Sequence, residues 1–253
     1  MLKAILFDMD DTLIDWSQRA EDWTDYNRRH MGRVFEQVRH HLSPQHDEDA
    51  FHDEVWKRTL ETWASARETL RAPHIGTILV DTCLHFGATP GVVDQDELVD
   101  IFDWEPFPGV VAFDDALEVL PMLRQHQVRL GVVTNAFQPM RMRMRELKTF
   151  GLLDFLEHEA CISAADIGYL KPHHTVFQAA LAALEIVPTE AVFVGDTLGA
   201  DIAGAKNLGM RAVLRINGDI TAGMEATPEP DARINTLHEL LPLLDAWYPD
   251  WRC

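Results

Sequence analysis

Five short strand-like runs, KAILFD (3–8), VRLGVVTN (128–135), HEACIS (158–163), AVFVGD (191–196) and MRAVLRI (210–216), alternate with helical segments, and this alternation constrains the fold most. Apolar runs that lack a helical stripe and end in polar residues read as strands buried on both faces. Between them, VAFDDALEVLPMLRQHQ, PMRMRMRELKTFG, HTVFQAALAALEI and LGADIAGAKNLG carry helical patterning, with Gly151 and Gly209 as stops. Strands joined through helices of this length require right-handed crossovers, which produce a parallel sheet covered on both sides. The expected class is α/β, with a doubly wound parallel sheet at its centre. The tail ATPEPDARINTLHELLPLL adds a polar loop, a short strand and a helix.

The alternation is interrupted once. From Trp16 to Trp104 the chain is rich in Trp, His, Arg and Glu, has few β-like runs, and spaces apolar residues such as Val55, Leu60 and Trp63 in a helical manner. This stretch reads as a helical insertion. It is closed by DWEPFPGV, where Pro106 and Pro108 forbid continued helix. Residues 1–15 and 105–253 then form the α/β core and 16–104 the inserted unit.

With 253 residues, 47% hydrophobic and 25% charged, the chain has enough apolar material for a large core. No apolar run reaches the roughly 20 residues of a membrane span, and MLKAILFD meets an aspartate too early for a secretory signal. The expected location is the cytoplasm, with no membrane partner. Cys83, Cys161 and Cys253 are widely separated and lack metal-ligand spacing, which suits a reduced compartment and suggests neither a disulfide framework nor a zinc site. The net charge of −19 argues against nucleic acid, whose phosphates demand a basic footprint. Any phosphate site on such a chain must carry its own local positive charge.

In a doubly wound sheet, ligands bind beyond the carboxyl ends of the strands. Asp8, Asp10, Asp11 and Thr12 follow the first run, Thr134 and Asn135 end the second, and Asp196, Thr197 and, a helical step further, Asp201 follow the fourth. Lys171, in GYLKPHH, stands where a helix begins whose preceding strand leads to the same edge. Taken singly, Thr12 and Thr197 read as helix N-caps and Asp201 as an exposed helical residue. Taken together, clustered carboxylates become tolerable when a divalent cation neutralises them, and hard oxygen donors suit Mg2+. Mg2+ held in this way keeps positions for water and a substrate phosphate. Lys171 adds a second positive charge, and the Thr134 hydroxyl with the backbone N–H groups after it suits phosphate oxygens.

These residues resemble the motif set of the haloacid dehalogenase-like (HAD) hydrolase superfamily. DxDxT after a strand matches Asp8, Asp10 and Thr12; a Thr or Ser ending a strand matches Thr134; a Lys-Pro pair matches Lys171 and Pro172; GDxxxxD matches Gly195, Asp196 and Asp201. Any one of these is weak, but four in order after expected strands are specific. The resemblance implies a Rossmann-like core with a mobile α-helical cap between the first and second motifs, the place residues 16–104 occupy. It also implies a Mg2+-dependent phosphomonoester hydrolase acting on a small phosphorylated metabolite such as a sugar phosphate, a nucleoside monophosphate or phosphoglycolate. Asp8 is then the nucleophile that forms an aspartyl-phosphate, and Asp10 the general acid and later the general base. Mg2+ is held by the Asp8 carboxylate, the Asp10 backbone carbonyl and Asp196, while Asp201 orients water on the metal or pairs with Lys171. Thr134, Asn135 and Lys171 cradle the phosphate.

Asp10 chooses among branches of the superfamily. The dehalogenase branch lacks an aspartate there, because a halide leaves without a proton, and the phosphonatase branch replaces it; a phosphomutase keeps it and stays open. Asp11 stands where many relatives have glycine. KPHH departs from the usual Lys-Pro-Asp-Pro, which places His173 and His174 at the rim and outside the chemistry. From the insertion, Arg67, Arg71 and His74 are candidates to reach substrate, while its tryptophans and other histidines read as packing or surface groups. Two other classes compete. A phospho-receiver signalling domain would carry its phosphoacceptor on a later strand and no large insertion, and a noncatalytic protein that keeps the fold would not need Asp8 and Asp10. Nucleotide-dependent enzymes of other folds are disfavoured, because neither a P-loop nor GxGxxG occurs. A monomer or homodimer is expected.

Overall fold

A computed structural model of the chain describes residues 1–45, 47–216 and 228–252. In chain order the strands are β1 (Ala4–Phe7), β2 (Ile14–Asp15), β3 (Val111–Ala112), β4 (Arg129–Thr134), β5 (Cys161–Ser163), β6 (Ala191–Gly195), β7 (Arg211–Arg215) and β8 (Ala232–Ile234). The helices are α1 (Trp23–Val38), α2 (Glu48–Thr69), α3 (Ile75–His85), α4 (Gln95–Phe102), α5 (Asp114–Gln125), α6 (Met140–Thr149), α7 (Ala164–Ile167), α8 (His174–Ala183), α9 (Ala203–Asn207) and α10 (Leu240–Trp247). Among the described residues, all strands except β2 and β3 form one sheet in the order β5-β4-β1-β6-β7-β8, with every neighbouring pair parallel. This is the α/β, doubly wound, Rossmann-like arrangement that the alternating pattern implies.

Strand β1 shows why the sheet forms. All four of its side chains are buried, yet they serve two cores: Ile5 and Phe7 pack with Val119 and Leu123 of α5 and Leu240 of α10, whereas Ala4 and Leu6 pack with Val176 and Phe177 of α8. A strand covered on both faces needs no polar alternation, which is why it appears as an apolar run. Gly131 in the adjacent β4 is required by a close approach: a Cβ there would lie 2.7 Å from the Ala160 carbonyl oxygen and 2.9 Å from Leu6 Cδ2.

Some boundaries differ from the sequence pattern. In HEACIS, His158–Ala160 form a 3₁₀ turn and only Cys161–Ser163 extend. Val111–Ala112 is not helical, because it pairs antiparallel with Ile14–Asp15. That pairing sets the departing and returning ends of the insertion side by side, with α1 to α4 between them. Within α2, Phe51, Val55, Thr59 and Ala66 form the buried stripe, and Leu60 is 53% exposed. Five residues turn a helix about 140° past a full circle, which carries Leu60 off the face of Val55. Ala226 and Thr227, where the polar loop of the tail was expected to begin, and Cys253 lie outside the described residues. No helix among the described residues is long and apolar enough to cross a membrane.

One buried ion pair anchors the loop that follows β1. Arg215, in β7, donates to both carboxylate oxygens of Asp115 at 3.0 Å and to the Thr12 carbonyl oxygen at 2.9 Å. Asp115 also accepts from the Leu237 backbone N–H at 2.9 Å. One fork-shaped guanidinium thereby ties β7, the start of α5 and the DxDxT loop together. Asp115→Ala removes the carboxylate and leaves the guanidinium's charge in the core, so a loss of about 3–5 kcal/mol is expected in denaturant titration. A loss under about 1 kcal/mol would show that the pair does not anchor this region.

Candidate active site

The cleft lies where the parallel register puts it. Phe7 of β1 pairs with Val132 of β4 and Val194 of β6, so Asp8, Thr134 and Asp196 emerge at nearly one level on three adjacent strands. A cleft of about 240 Å³ is lined by Asp8, Asp10, Thr134, Asn135, Lys171, Asp196 and Asp201, which unites every site residue expected from the motifs.

Lys171 stands at its centre. Its Nζ donates to Asp8 Oδ1 at 2.5 Å and to the Val133 carbonyl oxygen at 2.7 Å, and it pairs with Asp201 Oδ1 at 2.7 Å. An ammonium has three N–H donors, so these acceptors fix its direction. Asn135 holds the backbone of the same residue: its Oδ1 accepts from Lys171 N at 2.7 Å and its Nδ2 donates to Lys171 O at 3.3 Å.

Asp201 is 1% exposed, not a solvent-facing helical residue. The chain at Leu198–Ile202 takes a π turn, in which the N–H groups of Asp201 and Ile202 both reach the Thr197 carbonyl oxygen, and this wider turn carries Asp201 inward. Thr197 N–H then donates to Asp201 Oδ2 at 3.0 Å, and Thr197 Oγ1 donates to Asp196 Oδ1 at 3.1 Å. Neither threonine is a side-chain N-cap: Thr197 Oγ1 is spent on Asp196, and Thr12 is buried in a turn that starts no helix. Asp11 has φ +58°, a left-handed conformation that Asp tolerates and Gly adopts freely, which accounts for either residue at this position.

Carboxylates outnumber cations in this cleft. Asp8, Asp196 and Asp201 bring ligand oxygens within 4.8 Å of one another around a single ammonium. Burial pushes the Asp8 carboxyl well above its usual range, opposed by Lys171 and reinforced by Asp201, Asp196 and Asp10. Burial, then Asp201, pushes Asp196 up to about 6. For Lys171 burial works against the charge, but Asp201 and Asp8 outweigh it and hold the ammonium above its ordinary range. A hard-oxygen cluster short of positive charge fits a divalent cation.

Asp10 turns away from that cluster. Its Oδ1 accepts from Arg143 Nη2 at 2.5 Å and Trp16 Nε1 at 2.8 Å, and its Oδ2 from Thr134 Oγ1 at 3.4 Å. The Asp10 side chain therefore does not join the three-carboxylate group of Asp8, Asp196 and Asp201. Arg143, on α6, was not recognised from sequence, although it shares a buried helix face with Met140 and Leu147. Glu146, one turn on, is fully buried and pairs with Arg143 Nη1 at 3.0 Å; burial pushes its carboxyl up to about 7, with Arg143 opposing and Asp10 adding.

A second cavity of about 170 Å³ adjoins the first through Asp10 and Asn135 and is lined by Trp16, Trp23, Trp63, Phe137 and Arg143. These tryptophans, read from sequence as packing groups, thus face a cavity at the edge of the site. The insertion residues expected to reach substrate do not line either cavity. Arg67 is exposed on α2, the Arg71 guanidinium lies 4.3 Å from the Tyr169 ring centroid, and His74 Nδ1 caps α3 by accepting from Gly76 N. His173 is likewise structural: it caps α8 and stacks on Tyr169 at 3.9 Å, with His174 stacked beside it at 4.5 Å.

The family model for haloacid dehalogenase-like hydrolases matches residues 2–209. The chain belongs to that family. Glyceraldehyde 3-phosphate phosphatase of Methanopyrus kandleri is 30% identical to this HAD-like hydrolase over 247 residues, covering 96% of this chain and 97% of its own. Validoxylamine A 7'-phosphate phosphatase of Streptomyces hygroscopicus is 27% identical over 241 residues, 95% and 96% of the two chains. Among solved structures, a 2-haloacid dehalogenase from Pseudomonas syringae matches with a TM-score of 0.62 at 25% identity, covering 98% of this chain and all of its own. A HAD phosphatase from Thermococcus onnurineus matches with a TM-score of 0.61 at 24% identity, over 96% and 98%. A phosphatase and a dehalogenase superpose equally well, so the backbone does not choose the reaction and the side chains must.

Gly195 offers a direct check of how this HAD-like hydrolase holds Asp201. A Cβ there would sit 2.5 Å from the Asp201 carboxylate, whereas one at Gly199 would meet nothing within 4 Å. Gly195→Ala is expected to cost about 1–3 kcal/mol in denaturant titration, and Gly199→Ala less than about 0.5 kcal/mol. Equal effects would contradict the packing described.

Proposed function

We propose that this hydrolase is a phosphatase that cleaves phosphomonoesters of small metabolites through an aspartyl-phosphate on Asp8. The observation that carries the reading is Asp10 next to the nucleophile, its Oδ2 turned to the Thr134 hydroxyl. An oxygen leaving group needs a proton and a halide does not, so an acid at this point favours phosphate esters over haloacids. Relatives named as phosphatases support the same choice.

In this reading Lys171 orients the Asp8 carboxylate for attack on phosphorus, and the Thr134 hydroxyl takes a phosphoryl oxygen. Asp10 gives its proton to the leaving oxygen as the P–O bond breaks, then removes a proton from the water that hydrolyses the aspartyl-phosphate. The Asp8 and Asp196 carboxylates and the Asp10 backbone carbonyl would hold Mg2+, with Asp201 behind them paired to Lys171. Bound there, the ion supplies positive charge against the phosphoryl oxygens. The α1 to α4 insertion acts as a cap. Its Trp16, Trp23 and Trp63 enclose the leaving group in the cavity of about 170 Å³, below the roughly 300–1,000 Å³ of drug-sized sites, which suits a small metabolite. Closure excludes water from the first step. This reading places the enzyme in the cytoplasm.

Purified protein is expected to release phosphate from an aryl phosphate with Mg2+ and to stop on addition of a chelator; turnover that survives the chelator would refute metal dependence. Asp8→Asn should lower turnover by at least ~10³-fold with the fold intact by circular dichroism. The metal dependence should also vary with pH. Because the Asp196 carboxyl is raised to about 6 and Asp8 is raised as well, protons compete for the same oxygens, so apparent Mg2+ affinity falls as pH drops through about 6. Mg2+ titrations of phosphate release across that range check the sign, and an affinity that rises on acidification would contradict it.

A further inference from the structure

The two oxygens of Asp10 are not equivalent. Oδ1 receives two short donors, Arg143 Nη2 at 2.5 Å and Trp16 Nε1 at 2.8 Å, while Oδ2 has the 3.4 Å contact with Thr134 Oγ1, at the edge of hydrogen-bond range. A protonated carboxyl carries its hydrogen on one oxygen and accepts on the other. Two donors aimed at Oδ1 make it the acceptor, which leaves Oδ2 to carry the proton on the side of the cleft where Thr134 sits.

Arg143 is built for this task more than for contact with substrate. It is 2% exposed, and Glu146, itself fully buried, takes Nη1 at 3.0 Å. The guanidinium is thereby stretched between two carboxylates and its position is set by α6, a core helix, not by the loop that bears Asp10. Sharing with Glu146 also divides the positive charge that faces Asp10. Trp16, the first residue after β2, donates to the same oxygen from a different element.

We propose that Arg143 is a positioning residue for proton transfer: with the Trp16 indole it clamps Asp10 Oδ1 and so aims Oδ2 at the leaving oxygen. The inference rests on the reading of Asp10 as general acid and base. In the first step the Asp8 oxygen–phosphorus bond forms, the phosphorus–leaving-oxygen bond breaks, and the Oδ2 proton goes to that leaving oxygen. In the second, Oδ2 takes a proton from the water that attacks phosphorus and releases Asp8.

Leaving groups of graded acidity separate aiming from mere packing. Activated aryl phosphates expel a stable phenolate and need little protonation, whereas alkyl phosphates depend on it. The double variant Arg143→Met with Glu146→Gln removes the guanidinium without stranding a buried charge. Its kcat/KM, which reports the phosphorylation half-reaction, is expected to fall for alkyl phosphates by at least ~10-fold more than for an aryl phosphate, since general acid catalysis is worth ~10²–10⁴-fold. Trp16→Phe removes the other donor without touching the buried pair and should skew the same ratio less strongly, so the test stands even if the double variant fails to fold. Asp10→Asn, run alongside, should show the largest skew. If Asp10→Asn skews the ratio and neither the double variant nor Trp16→Phe does, the clamp is wrong while Asp10 keeps its role. If Asp10→Asn shows no skew, the acid-base reading itself fails.

Discussion

One ammonium holds this site together. Lys171 brings a single positive charge to a point where Asp8 and Asp201 meet it at 2.5 and 2.7 Å with Asp196 close by. Buried ion pairs persist only when geometry and further hydrogen bonds offset desolvation. Here the Val133 carbonyl oxygen, the Asn135 side chain and the Thr197 backbone N–H supply those bonds. Lys171 does not balance the charge, because three carboxylates remain against one cation. Burial first, and then that surplus, leaves Asp8 and Asp196 prone to protonation, and the unbalanced negative charge suits a dication on a chain whose net charge of −19 otherwise repels anions.

Two buried arginines extend the same logic outward. Arg215 pins Thr12 and Asp115, which fixes the far end of the loop after β1, and Arg143 pins Asp10 in the middle of that loop. Each guanidinium is held by a carboxylate on a core helix, Asp115 on α5 and Glu146 on α6. The loop with the proposed nucleophile and acid is thus positioned from two helices, α5 and α6, that pack into the same core, and rigid support of this kind is what proton transfer over a fixed distance needs. Trp16, the first residue after β2, adds a contact to the same Asp10 oxygen.

Much of the fold was legible because a strand buried on both faces cannot hide: Ala4–Phe7, Leu130–Val133 and Ala191–Val194 are continuous apolar runs for that reason. The main site residues were legible for a related reason. A parallel sheet sends the residues that end its strands to one edge, so Asp8, Thr134 and Asp196 could be gathered without coordinates. The helices of the insertion were harder. Amphipathic spacing identified them as helices, but Leu60, counted in that spacing, lies off the buried stripe, and Arg67, Arg71 and His74, candidates to reach substrate, line neither cavity, since nothing in local periodicity says how α2 and α3 sit over the sheet.

Chain order and residue type by themselves determined the α/β class and the group of carboxylates with Lys171, because these follow from burial, crossover geometry and the chemistry of the side chains. Tertiary structure alone decided which oxygen meets which donor. The π turn brings Asp201 inward within a few residues of chain, while the turning of Asp10 toward Arg143 and the aromatic cavity beside it join residues distant in sequence. Such contacts depend on how helices pack against the sheet to within an ångström, and local patterning carries no record of that distance.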